Sequence, residues 1–262
     1  MKRRVFAYPY IVWMALFIIV PMFFVFYYAF VVGGTVTFDK FWTTLKDLNK
    51  WKVLWDSVVI ALKTTVIALL LGYPVAYILS NMKKSVAGFI SVLFFVPMWM
   101  NFVLRTYAWN AILDYVLPGV RSFLGLDGAV LMVLVYDFLP FMILPLYNTL
   151  AKLDKSLLEA SRDLGASSFQ TFFRVILPLS VPGIVSGITM VFIPAITAFT
   201  VPTLIGKGLY HLYGSEIEIA FKTLGDYAMG STLSIILLIS VLVSTLIMNH
   251  FDKDQQTGGQ MW

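Results

Sequence analysis

Leu153-Asp-Lys-Ser-Leu-Leu-Glu159-Ala-Ser-Arg-Asp-Leu-Gly165-Ala-Ser-Ser-Phe-Gln170-Thr-Phe-Phe-Arg-Val-Ile-Leu-Pro178 lies between two long apolar stretches, and its reading decides what kind of chain this is. Ser156 and Glu159 match the S-x-x-E capping box, which predicts a helix starting near Ser156. Gly165 can take the left-handed conformation that ends a helix. Ser167 and Gln170 form a second capping box, so a second helix follows, and Pro178 and Pro182 close it. The expectation is two short helices at an angle, joined at Gly165. Phe169, Phe172, Phe173 and Ile176 recur at helical spacing and predict one apolar stripe on the second helix.

Moving outward, apolar stretches flank this loop of residues 151–180 on both sides. Six stand out, at about 8–32, 56–80, 87–110, 129–150, 181–204 and 231–250, each close to the roughly 20 residues that cross a hydrocarbon core. Hydrophobic residues make up 60% of the 262 and charged residues 13%, where a soluble domain carries about 25% charged. A chain of this size cannot hide so much apolar surface from water. The fold class expected is all-α: one polytopic transmembrane domain over 1–262 with about six membrane helices. Asn101, Arg105 and Asn110 interrupt the third stretch. Pro21, Pro74, Pro97, Pro140, Pro145 and Pro194 lie inside spans, where neighbouring helices can satisfy the carbonyls they free. The tail, 252–262, reads as disordered.

Charge sets the orientation. With both termini cytoplasmic, the inner segments hold ten basic and five acidic residues, and the outer loops seven basic and eight acidic. That asymmetry obeys the positive-inside rule. The loop 151–180 is then cytoplasmic.

Several chemistries are excluded. There is no cysteine, and the two histidines, His211 and His250, cannot build a histidine metal cluster. No phosphate-binding G-x-x-x-x-G-K-[ST] exists, and Gly206-Lys207-Gly208 lacks both the hydroxyl and the spacing. The chain therefore cannot hydrolyse ATP by itself, and an enzyme is not expected.

The pattern E-A-x-x-x-x-G-A-x-x-x-x-x-F-x-x-[V/I]-x-L-P resembles the cytoplasmic EAA loop of ABC-importer permeases. Its matching positions here are Glu159, Ala160, Gly165, Ala166, Phe172, Val175, Leu177 and Pro178, with Ser161 where the family usually has a second alanine. Leu71–Tyr77, Val96–Asn101, Leu104–Trp109 and Leu139–Tyr147 extend the likeness toward the spermidine/putrescine branch of that family. The resemblance implies that Glu159, Ala160, Gly165, Ala166, Phe169 and Phe172 couple the chain to an ATPase dimer. It also implies a second permease subunit and an external substrate-binding protein. ATP and magnesium would be bound by the ATPase, leaving no cofactor in this chain. Related permeases carry opines, iron, sulfate or thiosulfate, and those solutes remain alternatives to polyamines. An ion-driven secondary transporter would show inverted repeats, and none is seen.

Inside the spans, a polycation would need carboxylates and aromatic faces along its path. Trp99 and Asp137 are expected to line that path, with Trp109, Tyr107 and Asn101 as further candidates. Asp137 lies well within the fourth stretch, where a lone carboxylate is costly. It should face a cavity, or else pair with Arg105 or with a cation of the second subunit. The aromatics have a packing role as their alternative.

Overall fold

The computed structural model describes residues 7–258 and is built almost entirely of helices. The first run, α1, joins the segments Ala7–Met14, Ala15–Ile19 and Val20–Phe30, with the middle segment wound as a π-helix. It is apolar on every side and largely exposed, as expected of a helix surrounded by lipid or by a partner. A two-stranded hairpin, β1 Val31–Val32 and β2 Thr35–Val36, follows it. Next come α2 (Asp39–Lys46), α3 (Leu48–Ser80), α4 (Lys84–Trp99) and α5 (Phe102–Ala111), the last extended by a π-turn over Ile112–Val116. Then follow α6 (Pro118–Leu150), α7 (Lys155–Asp163), α8 (Ser168–Leu179) and α9 (Val181–Ile196). The chain finishes with α10 (Thr200–Ile205), α11 (Tyr213–Lys222) and α12 (Tyr227–Gly258).

Four of these helices are long and apolar enough to cross a membrane by themselves: α1 from Val12, α3, α6, and α12 through Met248. Two bent helix pairs, α4 with α5 at 87° and α8 with α9 at 61°, pass the same test of length and apolarity only when each pair is taken together. The chain is thus an all-α polytopic membrane protein of four to six spans. Three sequence expectations need correction. The third stretch is not one helix, because Met100 is extended and Asn101 starts a new helix. The fifth stretch ends at Ile196, and the chain restarts as α10 only at Thr200. The tail over 252–258 continues α12 rather than being irregular, and 259–262 lie outside the described residues.

The core sits where α3, α6 and α9 meet. Val130, Val133, Leu134, Met142 and Leu146 of α6 are fully buried there against Ala61, Ala68 and Ala76 of α3. Small residues on α9 let its backbone approach α6. A Cβ at Gly183 would meet Thr149 Oγ1 at 2.7 Å, and one at Gly187 would meet Met142 Sδ at 2.6 Å. Gly183 and Gly187 are four apart, the spacing at which small residues allow close helix contact in membranes. The ends of α3 and α6 converge at one end of this three-helix core, and α7 and α8 hang from them.

Candidate functional site

The loop at that end is fixed by caps. α7 begins one residue before Ser156, because the Asp154 carboxylate accepts a hydrogen bond from the Ser156 amide at 2.9 Å. The expected Ser156–Glu159 box is therefore replaced by an aspartate cap two residues upstream. The same amide holds the Asp154 carboxyl below its ordinary range. Gly165 ends the helix in the left-handed region at φ +79°. Its N–H donates to Arg162 O, and that of Ala166 donates to Ser161 O, the paired bonds of a Schellman motif. The second capping box forms as expected: Gln170 N–H donates to Ser167 Oγ, and Ser167 N–H to Gln170 Oε1. A hydroxyl pair, Ser161 and Thr171 at 3.0 Å, ties the two helices together.

The aromatic stripe on α8 divides in two. Phe172 packs edge-on against Tyr73 and Tyr77 of α3, and Ile176 is buried. Tyr73 in turn bonds Ser180 through its hydroxyl at 2.9 Å. Phe169 and Phe173 face away, their rings tilted against one another with centroids 4.5 Å apart, and Phe169 is 72% exposed. Leu164, 89% exposed, stands at the turn. Between α7 and α8 runs an open groove of about 650 Å³, lined by Leu157, Ala160, Leu164, Ala166, Gln170 and Arg174 among others. Glu159 lies on the opposite side of α7. It lines a smaller cavity with Arg162 of α7, Tyr77 and Asn81 near the end of α3, and Leu150 of α6. Of the six expected coupling residues, Ala160, Gly165 and Ala166 thus border the groove, Phe169 stands exposed beside it, and Phe172 and Glu159 face this chain's own spans.

The residues expected inside the spans are separated. Trp99 ends α4 and is 79% exposed. Tyr107 is exposed on α5, and Asn101 caps that helix, its Oδ1 accepting from Val103 N–H at 2.9 Å. Asp137 is only 2% exposed and does not share a surface with Trp99. Its partner is Arg105, whose Nε lies 2.7 Å from Oδ1. That was the second of the two readings open from the sequence. The pair is out of hydrogen-bond alignment, and Asp137 Oδ2 has no hydrogen-bond partner. Arg105 also donates from Nη1 to Pro97 O at 2.8 Å, so one guanidinium links the end of α4, α5 and α6. Trp109 is half-buried and meets Tyr136 edge-on at 5.0 Å. The sequence signals proline and polar residues in this region, but it carries no sign that Pro97 O receives the arginine.

Apolar spans, two of them broken, and a capped two-helix loop presented at one end define a membrane permease. The family model for the inner membrane component of binding-protein-dependent transport systems matches residues 68–256, and the chain belongs to that family. It is 36% identical over 253 residues to the spermidine/putrescine transport system permease protein PotB of Escherichia coli, covering 90% of this chain and 92% of that protein. It is 35% identical over 257 residues to the PotB of Haemophilus influenzae, covering 91% and 89%. The inner membrane ABC transporter permease protein YdcU of E. coli is 28% identical over 79% of this chain and 78% of its own length. The fold matches a bacterial ABC transporter that imports the acidic polysaccharide alginate, with a TM-score of 0.72, 17% identity, and 97% and 96% of the two chains covered. It also matches the MetNI methionine ABC transporter at a TM-score of 0.59 and 19% identity, over 80% and 98% of the chains.

Proposed function

We propose that this permease subunit forms half of the pathway by which an ABC importer carries polyamines, spermidine or putrescine, across the cytoplasmic membrane. The observation that carries the reading is its identity of 36% with a spermidine/putrescine permease along nine-tenths of the chain. The loop supports an ATP-driven mechanism: α7, the Gly165 turn and α8 present an apolar groove and the exposed rings of Phe169 and Phe173, a shape suited to receive an ATPase subunit. ATP and magnesium belong to that ATPase dimer. A second permease subunit of the same importer and an external polyamine-binding protein complete the complex, and both termini and the loop face the cytoplasm. Trp99 and Tyr107, exposed on the two arms of the broken span, offer aromatic faces to a polycation with methylene spacers.

The test is reconstitution of the four components in vesicles with radiolabelled spermidine and putrescine. ATP-dependent uptake is expected, and Trp99→Leu should slow it without loss of ATPase from the purified complex. Uptake of an opine, iron, sulfate or thiosulfate with no polyamine uptake would overturn the substrate. Labelling of engineered cysteines should find position 127 outside and position 84 inside, and an inward Asp127 would overturn the orientation.

A further inference from the structure

The guanidinium of Arg105 sits in a cage. Its carbon lies 5.5 Å from the centre of the Phe102 ring and 6.0 Å from that of Tyr136. Trp109 closes edge-on against Tyr136. The Asp137 carboxylate forms the base, with one oxygen 2.7 Å from Nε and the other, buried, without a donor. A carboxylate beneath aromatic faces recognises alkylammonium and guanidinium ions alike, since cation–π attraction strengthens once water is removed. Leaving a buried carboxylate oxygen without a donor is costly, so the arginine satisfies its site incompletely. The rim is open on one side, where Tyr136 is exposed and Trp109 half-buried.

We infer that Asp137, Phe102, Tyr136 and Trp109 form a cation site within the permease, and that Arg105 is a tethered surrogate for which a substrate ammonium exchanges during transport. In this reading Arg105 is a positioning residue. It neutralises Asp137 while the site holds no substrate, and its second bond, to Pro97 O, gives it a place on α4 to remain when it lets go of the carboxylate. The carboxylate keeps one cation at every stage, while the displaced guanidinium stays charged and is held by the Pro97 carbonyl. That spares Asp137 the penalty of a lone buried charge at every stage. The identity of the arriving cation rests on the polyamine reading, whereas the cage itself does not.

Chemical rescue separates the two. The importer is purified without its binding protein, as the wild type, as Arg105→Ala, and as Arg105→Ala with Asp137→Asn. Thermal unfolding is followed against ethylguanidinium, putrescine and spermidine. Arg105→Ala should gain about 3 °C or more in Tm with ethylguanidinium, and with the polyamines if these are the substrates. The wild type should gain little, because its site is filled, and the double variant nothing. If Arg105→Ala does not survive purification, ethylguanidinium in the buffer should restore its yield. Absence of both rescue and recovered yield, or equal rescue of the double variant, overturns the cation site. Rescue by ethylguanidinium from a complex that imports no polyamine keeps the site and removes the substrate.

Discussion

The two ends of the helix bundle are held together by different forces. At the end where α3, α6 and α12 begin, charges are stitched in pairs: Lys40 to Asp226, Lys50 to Glu216, Arg121 and Lys207 to Asp114, and Lys222 to Glu218. These bonds cross from α2 to Asp226, the residue just before α12, and from α3 to α11. At the α7–α8 end, no ion pair forms among the described residues. That end holds together through two side-chain caps, a left-handed glycine, two hydroxyl pairs and Phe172 wedged between tyrosines. Its largest exposed apolar groups, Leu164 and Phe169, are left on the surface. One end is thus tied by charge pairs between distant segments, whereas the other holds its shape by contacts that are mostly local to α7 and α8.

The sharpest break in that comparison comes at Gly165. Nothing lies within 4 Å of a Cβ built there, so only its φ of +79° resists substitution. A left-handed L-residue costs about 1–2 kcal/mol, and more for a β-branched one. Gly165→Val should therefore reorient α8 against α7 and cut ATP-driven uptake about tenfold or more, the equivalent of ~1.4 kcal/mol in docking. Thermal stability of the spans should stay unchanged. Gly165→Asn, which tolerates the left-handed region, should retain most of the uptake. Equal loss for valine and asparagine would show that space, not backbone, governs the turn.

A second pair of variants divides the aromatic stripe. Phe172→Ala removes the wedge between Tyr73 and Tyr77, and being half-buried it should cost less than the ~3–5 kcal/mol of a fully buried phenylalanine. Hydrogen exchange should quicken in α8. Phe169→Ala exposes nothing new within this chain, so it should leave exchange alone and weaken only ATPase association in a pull-down. If Phe169→Ala loosens α8 as much as Phe172→Ala does, the division into an inward and an outward face is wrong.

The loop was legible in the sequence because caps and glycine turns are local, each set by residues within five positions. Ser167 with Gln170, and Gly165, could be read directly. The start of α7 near Ser156 was right but its cap was misassigned, because Asp154 and Ser156 are both good caps and only the fold shows which carries non-helical backbone dihedrals. The breaks in the third and fifth spans were harder. Asn101 could be recognised as polar, but the break after Ile196 has no proline or glycine at Thr197, Ala198 or Phe199, and the close approach of Gly214 to the Thr197 and Ala198 carbonyls is seen only in the fold. Arg105 and Asp137 are 32 positions apart, so their pairing was one of two readings until α5 was laid against α6. At the ion-paired end only the i,i+4 pair of Glu218 and Lys222 is local, whereas Lys40 and Asp226 meet only through the folded bundle.

The stitched end should respond to salt. Lys50 and Glu216 are mostly shielded from solvent, so Lys50→Met should lower stability by about 1 kcal/mol. The loss should shrink as ionic strength rises in the wild type, because screening removes what the variant lacks. Unfolding midpoints of the two proteins in nanodiscs, measured from low to high salt, should draw closer without meeting, since a partly buried pair is screened less than an exposed one. A gap that stays constant would mean the pair acts through packing of the lysine stem.

The smallest effect distinguishes the two ends by pH. Asp226 is held below its ordinary carboxyl range first by the hydrogen bond from Lys40 and next by the Met229 amide. Asp154, at the other end, is lowered by the Ser156 amide. Both carboxyls titrate lower in the folded chain than in the unfolded one, so each contributes stability above the unfolded value of about 3.9 and loses it as pH falls through the folded value. The two should differ in their response to salt. At about 1 M salt the Debye length is near 3 Å, which screens the exposed Lys40–Asp226 pair but leaves a carboxylate-to-amide contact in place. On lowering pH from about 6 to 3, with the range set around that carboxyl value, Asp226→Asn should lose part of the wild-type drop in midpoint at low salt and a smaller part at high salt, where only the Met229 amide contact remains. Asp154→Ala should instead speed exchange of the Ser156 amide equally at both salt concentrations. A salt-dependent change at Ser156, or a salt-independent one for Asp226→Asn, would erase the difference between an end held by charge pairs and an end held by caps.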